Sequence, residues 1–355
     1  MKLGSSLVAS ADNATIAARH LACAVQEAPL ERPQAAADFP RPVVDKLLQG
    51  SVIVERPRLR LAPDGAVETV SELRAEGSTR PRGSTCTASA DTAEVNNRAG
   101  GETILLTDQV RVLTTAYPGR VLLKGGRRYR VLLPEEQGRL DEGVVWAEPE
   151  RRRVHTARIR ELRLDFEGQG HELRLGGGAV LRFHHPVVAL SEEVLGTRQS
   201  HVARGLDDAI YYDEPVRAEY PTKAAVVHLP PASGGALEAL ELLVRITLPA
   251  FVHHTEEDID VACVHGDEPL LAIVDRHPGG VGFARAISSG VLRHALYWAR
   301  QIVLRCGNDE HCKAADGCPS CIQGAPRLSP DGRPPPSRTE VRALLRELLG
   351  PDGEA

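Results

Sequence analysis

The sequence predicts an α+β protein of several domains, with a helical N-terminal region, a middle part of antiparallel β-structure and a C-terminal part of mixed α/β structure. Its 355 residues exceed the usual size of one domain. Hydrophobic residues make up 42% and charged residues 26% of the chain, as in average globular proteins, which excludes a chain that is disordered throughout. Apolar residues recur with helical spacing near both ends, whereas short alternating runs fill the middle.

Residues 1–75 are predicted to contain one helix and a winged-helix-like region. A periodic apolar segment from residue 12 to residue 28 ends before a proline, as helices often do. A shorter helix ends at Gly50, and two extended runs with the pattern of a hairpin follow it. A short helix that leads into a hairpin is the outline of a winged helix. Residues 76–102 have almost no large apolar side chains, and we expect a flexible linker or loop there.

Residues 103–232 are predicted as a β-rich domain, either an antiparallel sheet or a small barrel, because Gly-Gly and Pro separate short apolar or alternating runs. Residues 233–355 are predicted as a mixed α/β domain. An amphipathic helix begins it, a buried strand follows at residues 270–275, and a long helix runs from about residue 282 to residue 304. A capping box opens the last helix of the chain.

The pattern of apolar residues predicts a cytoplasmic protein. No apolar run approaches the ~20 residues that cross a bilayer, and the first residues contain no apolar stretch of signal-peptide length. Thiols stay reduced in the cytoplasm, so the seven cysteines are not expected to form a disulfide framework. The net charge of −5 excludes a protein whose whole surface is basic.

Four of the cysteines lie within sixteen residues and predict a structural zinc site. Cys306, Cys312, Cys318 and Cys321 have the spacing C-x₅-C-x₅-C-x₂-C. Four thiolates can occupy the corners of a tetrahedron around Zn²⁺ at about 2.3 Å, and a C-x₂-C turn brings two of them to one ion. A closed shell leaves no position for water or substrate, so we expect one zinc ion per chain in a structural role.

Three other interpretations of these cysteines stay open. The four thiols could be unrelated to one another. The C-x₂-C pair could be a redox motif, although the βαβ pattern that usually accompanies one is missing. His311 could also replace one of the thiolates as a zinc ligand.

A glycine-rich segment lies between the strand at residues 270–275 and the long helix. The backbone N–H groups around Gly279, Gly280 and Gly282 could bind a phosphate there. The alternative is that the glycines only permit a sharp corner between strand and helix. The segment contains neither G-x-G-x-x-G nor a Walker A motif, which occurs nowhere in the sequence, so we do not expect this chain to hydrolyse ATP by the P-loop route on its own.

The middle of the chain has a local excess of positive charge, with twelve basic and seven acidic residues between residues 120 and 163. A hairpin through Gly125-Gly126 would present basic side chains that follow a phosphate backbone, while an interleaved tyrosine stacks on a base. The alternative is a solvated face of a sheet. The residues predicted to bind nucleic acid are Arg120, Lys124, Arg127, Arg128, Tyr129 and Arg130.

Histidine and aspartate residues suggest a metal-assisted hydrolase or nuclease as an alternative function. They are His184, His185, His253, His254, Asp258, Asp260, Asp275 and His277. Adjacent residues on a strand face opposite ways, and the motifs H-E-x-x-H and G-x-S-x-G are missing, so surface or loop positions are the simpler interpretation. A protein-interaction scaffold is a third hypothesis.

Five stretches of sequence occur in a characteristic order. They are ARHLACAVQEAPL (18–30), YPGRVLLKGGRRYRV (117–131), YPTKAAVVHLP (220–230), LLAIVDRHPGGVGFA (270–284) and DGCPSCIQ (316–323). Together they resemble the C-terminal half of MrfA-like superfamily 2 DNA repair helicases, and the last two resemble the MrfA-like zinc-binding domain. The resemblance implies a winged helix followed by that domain, and it implies that the four clustered cysteines coordinate zinc.

The same family has two RecA-like motor domains ahead of these domains, and they are missing from this sequence. The resemblance therefore implies an accessory module that binds zinc and DNA, with the helicase motor supplied by another chain, in DNA repair or phage defence. It implies no DNA unwinding by this chain alone. Half of a split helicase, a stand-alone accessory protein and a fragment of a disrupted gene are three arrangements that agree with it.

Overall fold

The computed structural model describes residues 13–27, 29–50, 52–61, 67–75, 92–137, 144–168, 170–177, 179–201, 207–308, 318, 321–322 and 332–351. They belong to two compact units, one from Ala9 to Ala90 and one that contains Asp91–Ala355. Both units combine helices with antiparallel strands, which confirms the predicted α+β class. Within these described ranges, no helix has both the length and the apolarity of a membrane span.

In the first unit, three helices and a short strand precede a hairpin. The elements are α1 (Ala14–Glu27), β1 (Leu30–Glu31), α2 (Arg32–Asp38), α3 (Arg41–Gln49), β2 (Ile53–Leu61) and β3 (Val67–Ala75). Strand β3 pairs antiparallel with both β1 and β2. Helices α2 and α3 both have proline as their second residue, where its fixed φ suits the first turn of a helix. The core consists of Leu21, Val25, Ala35, Val44, Ile53 and Leu73.

The first unit agrees with the predicted helix before residue 28, the helix that ends at Gly50 and the hairpin after it. Helix α2 was not predicted. In a winged helix, helices precede a hairpin, and the first unit has this order. The winged-helix interpretation itself stays a prediction. The turn of the hairpin lies outside the described residues.

The second unit begins with a five-stranded sheet. Its elements are β4 (Thr92–Asn97), β5 (Thr103–Asp108), α4 (Gln109–Thr115), β6 (Val121–Lys124), β7 (Arg127–Val131), α5 (Pro134–Gln137) and β8 (Val144–Pro149). The strand order is β5-β4-β8-β7-β6, in which only β4 and β8 are parallel.

Strand β4 corrects the prediction of a linker over residues 76–102. Of its side chains, Ala93 and Val95 are buried, and two apolar residues are too few to give a clear strand pattern. The strand forms because β5 and β8 pair with it on either side. Residues 76–91 lie outside the described part of the chain.

A seven-stranded sheet and four helices complete the second unit. The strands are β9 (Val154–Phe166), β10 (His171–Arg174), β11 (Val180–His184), β12 (Val187–His201), β13 (Asp207–His228), β14 (Ile259–Val264) and β15 (Leu270–Asp275). The helices are α6 (Gly234–Thr247), α7 (Phe283–Ala286), α8 (Ser289–Asn308) and α9 (Arg338–Leu349), with a 3₁₀ turn at Leu248–Ala250. Five strands follow the order β10-β11-β13-β12-β9, and β15 pairs with both β13 and β14.

One hydrophobic core joins this sheet to the helices. It contains Leu173 and Phe183 from the sheet together with Leu240 of α6 and Leu344 of α9. The domain boundary predicted after residue 232 therefore crosses a continuous core. The sequence did not indicate this because β13 lies before the predicted boundary and its partner β15 lies after it.

The long helix predicted from about residue 282 is broken into α7 and α8. Ile287 leaves helical geometry with ψ of 80°, and its carbonyl accepts a hydrogen bond of 2.9 Å from His185 Nε2. The predicted capping box is present in part, because Ser337 Oγ accepts the N–H of Glu340 at 3.4 Å. The carboxylate of Glu340 does not complete the box but accepts from the Ser233 hydroxyl, which itself caps α6.

Candidate metal centre and basic surfaces

Three cysteine thiols come together where the last turn of α8 meets a tight turn of the chain. The sulfur atoms of Cys306, Cys318 and Cys321 all lie within 4.8 Å of one another, and those of Cys306 and Cys318 are 3.4 Å apart. Two thiolates on a zinc tetrahedron with bonds of about 2.3 Å are roughly 3.8 Å apart. The positions of the three thiols therefore fit ligands of one ion.

Backbone hydrogen bonds hold the turn that carries two of these thiols. The carbonyl of Cys318 accepts the N–H groups of Cys321 and Ile322 at 3.0 and 3.2 Å, and the N–H of Cys318 lies 3.1 Å from Cys321 Sγ. An N–H donor to sulfur stabilises the thiolate form, which is the form that binds a metal. Cys321 and Ile322 are fully buried in the hydrophobic core that joins the seven-stranded sheet to the helices, so the turn is anchored to the rest of the unit.

The fourth expected ligand is not among the described residues. Cys312 and its alternative, His311, both lie in the part of the chain outside them. The ligand set Cys306, Cys312, Cys318 and Cys321 is consequently supported at three positions and stays a prediction at the fourth.

The predicted phosphate loop binds an internal carboxylate instead. Asp275 Oδ2 accepts the backbone N–H groups of Val281, Gly282 and Phe283 at 2.8, 3.0 and 3.2 Å. The N–H groups of Gly279 and Gly280 donate to backbone carbonyls, both at 2.8 Å. No N–H group from Gly279 to Phe283 is therefore left for a phosphate, and the prediction of a phosphate site there is wrong.

The corner interpretation of these glycines is confirmed. Gly279, Gly280 and Gly282 have φ of 76°, 72° and 110°, which lie in the left-handed region. Such a backbone lets the chain turn from β15 into α7 around the side chain of Asp275.

Asp275→Asn is expected to lower the free energy of unfolding by about 1–3 kcal/mol, because an amide group would face N–H donors that a carboxylate now satisfies. Urea denaturation followed by circular dichroism measures this change. Asp267→Asn, a substitution of an exposed residue, is the matched control and should change the free energy of unfolding by less than about 0.5 kcal/mol. Equal stabilities of the two variants would show that Asp275 does not hold the corner.

The predicted basic hairpin is present as β6 and β7. Gly125 and Gly126 form its two-residue turn with φ of 57° and 76°, the positive values of a type I′ turn. Arg127 is exposed and Arg128 is half-buried, and neither side chain forms a hydrogen bond or ion pair with another described residue. These two arginines are the members of the predicted set that have no partner within the described ranges.

Two members of the predicted set are structural. Tyr129 is only 3% exposed and belongs to the core of the five-stranded sheet with Val131, so the prediction that it stacks on a base is wrong. Strand alternation turns both residues to the same, buried face. Arg130 donates to Glu136 at 2.7 Å and also to Glu148, and these hydrogen bonds raise its pKa.

The remaining two members have local partners. Lys124 Nζ lies 3.3 Å from Glu102 and donates to a backbone carbonyl. Arg120 donates to the carbonyl of Thr114, and its guanidinium lies 5.5 Å from the ring centre of Tyr117. The basic run is therefore not one continuous surface for nucleic acid.

A buried network of charged side chains, which no sequence pattern had indicated, lies in the second unit. Arg160 and Arg276 contact Asp260 at 2.6 and 2.7 Å. Arg276 also contacts Glu192 at 2.7 Å, and Arg158 lies 3.4 Å from the same carboxylate. Arg158 and Arg160 are two residues apart on β9 and hence share a face, which is the one signal visible in the sequence. Their acidic partners come from β12 and β14.

The residues of the hydrolase hypothesis form no metal site in the described ranges. There, the three cysteines are the one group of three or more potential ligands close enough to share an ion. Arginines hold Asp260, and backbone N–H groups hold Asp275. Asp258 lies 3.2 Å from His277 Nε2, and Arg111 contacts both side chains.

The C-terminal part of the chain matches a known family. Residues 240–322 fit the family model of the MrfA Zn-binding domain, a segment that begins within α6 and includes Cys306, Cys318 and Cys321. The match confirms the resemblance to MrfA-like helicases over this segment. The matched segment and the three thiols within it are those of a zinc-binding domain.

The chain is also similar to solved structures of the helicase MrfA. A crystal structure of DUF1998 helicase MrfA bound to DNA shares 17% identity and a TM-score of 0.44, over 96% of this chain and 44% of that chain. A crystal structure of DUF1998 helicase MrfA shares 18% identity and a TM-score of 0.45, over 66% of this chain and 33% of that one. The chain thus spans less than half the length of the MrfA chains that it matches. No curated protein sequence gives a significant match.

Proposed function

We propose that this chain is a zinc-stabilised DNA-binding accessory module whose helicase motor is supplied by another chain. The observation that carries the proposal is the group of three thiols within the segment that matches the MrfA Zn-binding domain. A redox dithiol needs only two sulfur atoms, so the third thiol favours a metal. We assign one zinc ion per chain to Cys306, Cys312, Cys318 and Cys321.

The role of this zinc ion is structural. Four thiolates fill the tetrahedral shell, so the ion would join the end of α8 to the turn at Cys318 without an open position for chemistry. The buried side chains of Cys321 and Ile322 would transmit that restraint to the core.

The DNA-binding part of the proposal is supported by the turn of the β6–β7 hairpin. Arg127 and Arg128 have no acidic partner among the described residues, and guanidinium groups bind phosphate oxygens well. Two phosphate contacts predict a slope of log affinity against log salt of about −1.8 for double-stranded and about −1.4 for single-stranded DNA.

Zinc content and DNA affinity of the purified chain test the proposal. We expect about one zinc per chain and binding of labelled DNA at about 50 mM salt that weakens at about 200 mM. Arg127→Gln combined with Arg128→Gln should weaken DNA binding by roughly tenfold without loss of zinc. Arg163→Gln combined with Arg217→Gln removes two exposed arginines that pair with neighbouring glutamates and serves as the control. A chain without zinc, or without DNA affinity at low salt, would contradict the proposal.

The helicase motor can be sought by pull-down with the zinc-loaded chain. Recovery of a superfamily 2 ATPase together with DNA affinity supports the accessory-module role. Recovery of such an ATPase by a chain that binds no DNA instead supports a protein-interaction scaffold. A role in DNA repair or phage defence and a cytoplasmic location belong to the same proposal.

A further inference from the structure

A cleft of about 680 Å³ opens in the second unit beside the buried charge network. Its lining includes Thr114, Arg120, Arg158, Arg245, His254 and Asp260. Its volume is within the range of small-molecule binding sites. The zinc-site residues are not part of the lining.

Two arginines of the lining are held at one end of α4. Arg158 Nη1 donates to the carbonyl of Leu113 at 3.0 Å, and Arg120 Nη1 donates to the carbonyl of Thr114. Both side chains therefore contact the same end of α4, and both line the cleft. Each guanidinium has five N–H donors, so the carbonyl contacts use only a minority of them.

The lining of the cleft carries three arginines and three carboxylates, but the buried network beside it does not balance. Arg158, Arg160 and Arg276 face the carboxylates of Glu192 and Asp260, which leaves one positive charge in excess. Arg245, 3.8 Å from Asp260, pairs with Glu241 and adds no net charge. The end of α4 supplies at most about half a negative charge.

The excess charge is located at Arg158. Burial, and then the proximity of Arg276, lower the pKa of Arg158 to about 9, whereas the pKa values of Arg160 and Arg276 are raised. Arg160 and Arg276 have direct contacts with Asp260, and Arg158 has only the longer contact with Glu192.

Acidic residues at the rim do not remove this excess. Glu256 is exposed to solvent, and Glu257 is 46% exposed and lies 3.9 Å from Arg111. Charges of this kind are screened by water far more than the buried guanidinium is.

We propose that this cleft binds a phosphate group, with Arg120 and Arg158 as the residues that contact its oxygens. Guanidinium groups bind phosphate oxygens well, and the negative charge of a phosphate would compensate the excess charge of the buried network. A free nucleotide and the backbone of a polynucleotide both present such a group. The inference goes beyond the proposed function, since it requires neither zinc chemistry nor a motor.

Calorimetric titration of the zinc-loaded chain with inorganic phosphate, thymidine monophosphate and a dT15 oligonucleotide tests this site. Arg120→Gln should weaken binding of at least one probe by about tenfold or more, as expected when a charged hydrogen-bond donor is lost. Arg163→Gln, on the same strand as Arg158 but 67% exposed, should leave the affinities unchanged. Weakening for all three probes indicates a site for free phosphate, and weakening for the oligonucleotide alone indicates a polynucleotide backbone.

A second measurement needs no variant and covers the case in which Arg120→Gln fails to fold. Phenylglyoxal modifies accessible arginines, and mass spectrometry locates the modified residues. The probe that binds should protect Arg120 in the wild-type chain and leave Arg163 reactive. Equal affinities of the Arg120→Gln and wild-type chains, or no protection of Arg120 by any probe, would overturn the cleft assignment.

The two proposals fail separately. Oligonucleotide binding that Arg120→Gln leaves unchanged would remove the cleft and leave the proposed DNA-binding module intact. Binding of inorganic phosphate that depends on Arg120, in a chain with no affinity for DNA, would support the cleft and contradict the proposed function.

Discussion

Cys321→Ser is expected to lower zinc affinity by more than a hundredfold. Structural zinc sites bind with roughly 10–16 kcal/mol, and one of four ligands accounts for about 3 kcal/mol of this if they contribute equally. A serine hydroxyl replaces the thiolate poorly because Zn²⁺ is bound by sulfur in such sites and the hydroxyl stays protonated at neutral pH. Competition with a chelator of known zinc affinity measures the effect.

The same substitution should release the end of α8. Cys306 lies in its last turn, so amide hydrogen exchange there should become faster when the ion no longer joins that turn to Cys318. Cys263→Ser is the matched control, because Cys263 is 2% exposed in the same core but is not in the thiol group. It should cost about 1–3 kcal/mol of stability and leave zinc affinity unchanged. Equal zinc affinity of both serine variants would show that Cys321 is not a ligand.

Glu192→Gln is expected to lower the free energy of unfolding by about 3–5 kcal/mol. Glu192 is 1% exposed, and its carboxylate faces Arg158, Arg160 and Arg276. Removal of one partner from a buried charge network leaves uncompensated buried charge, which costs far more than the loss of a surface ion pair. Chemical denaturation at neutral pH measures the change.

Glu193→Gln provides the control at the next residue of the same strand. Its side chain points to the opposite face and pairs with Arg217, which is 67% exposed, at 3.1 Å. That substitution should change the free energy of unfolding by less than about 1 kcal/mol. Similar losses for both variants would contradict the role of the buried network.

The network also predicts a loss of stability in acid. Burial alone would raise the pKa values of Glu192 and Asp260, but the buried arginines lower both. A carboxylate whose pKa is lower in the folded state contributes stability above its unfolded value of about 4, and this contribution is lost as the pH falls through the folded value. The wild-type chain should therefore lose stability below about pH 4, and Glu192→Gln should show a shallower dependence.

Local sequence was sufficient to predict the turns whose structure depends on neighbouring residues. The spacing of Cys318 and Cys321 indicated the turn that the structure contains, and Gly125-Gly126 indicated the two-residue turn of the hairpin. These features form within a few residues, so hydrogen bonds and φ preferences along one segment determine them.

Side-chain contacts and burial, which residue patterns do not show, decided the features that the sequence did not reveal. The carboxylate of Asp275 takes the N–H groups that a phosphate would need, and burial among strands removes Tyr129 from solvent. Nothing in the neighbourhood of Arg158 and Arg160 indicates that Glu192 and Asp260 face them.

The sequence by itself determined the α+β class, the thiol pattern and the hairpin, because each of these depends on local geometry or on residue spacing. Only the tertiary structure decided which polar groups already have a partner and which face open space. The physical reason is that desolvation and charge pairing depend on distance in space, and strands far apart in the sequence set those distances. Because Asp275 already accepts N–H groups of the glycine-rich segment, we expect the phosphate contact at Arg120 and Arg158 in the cleft instead.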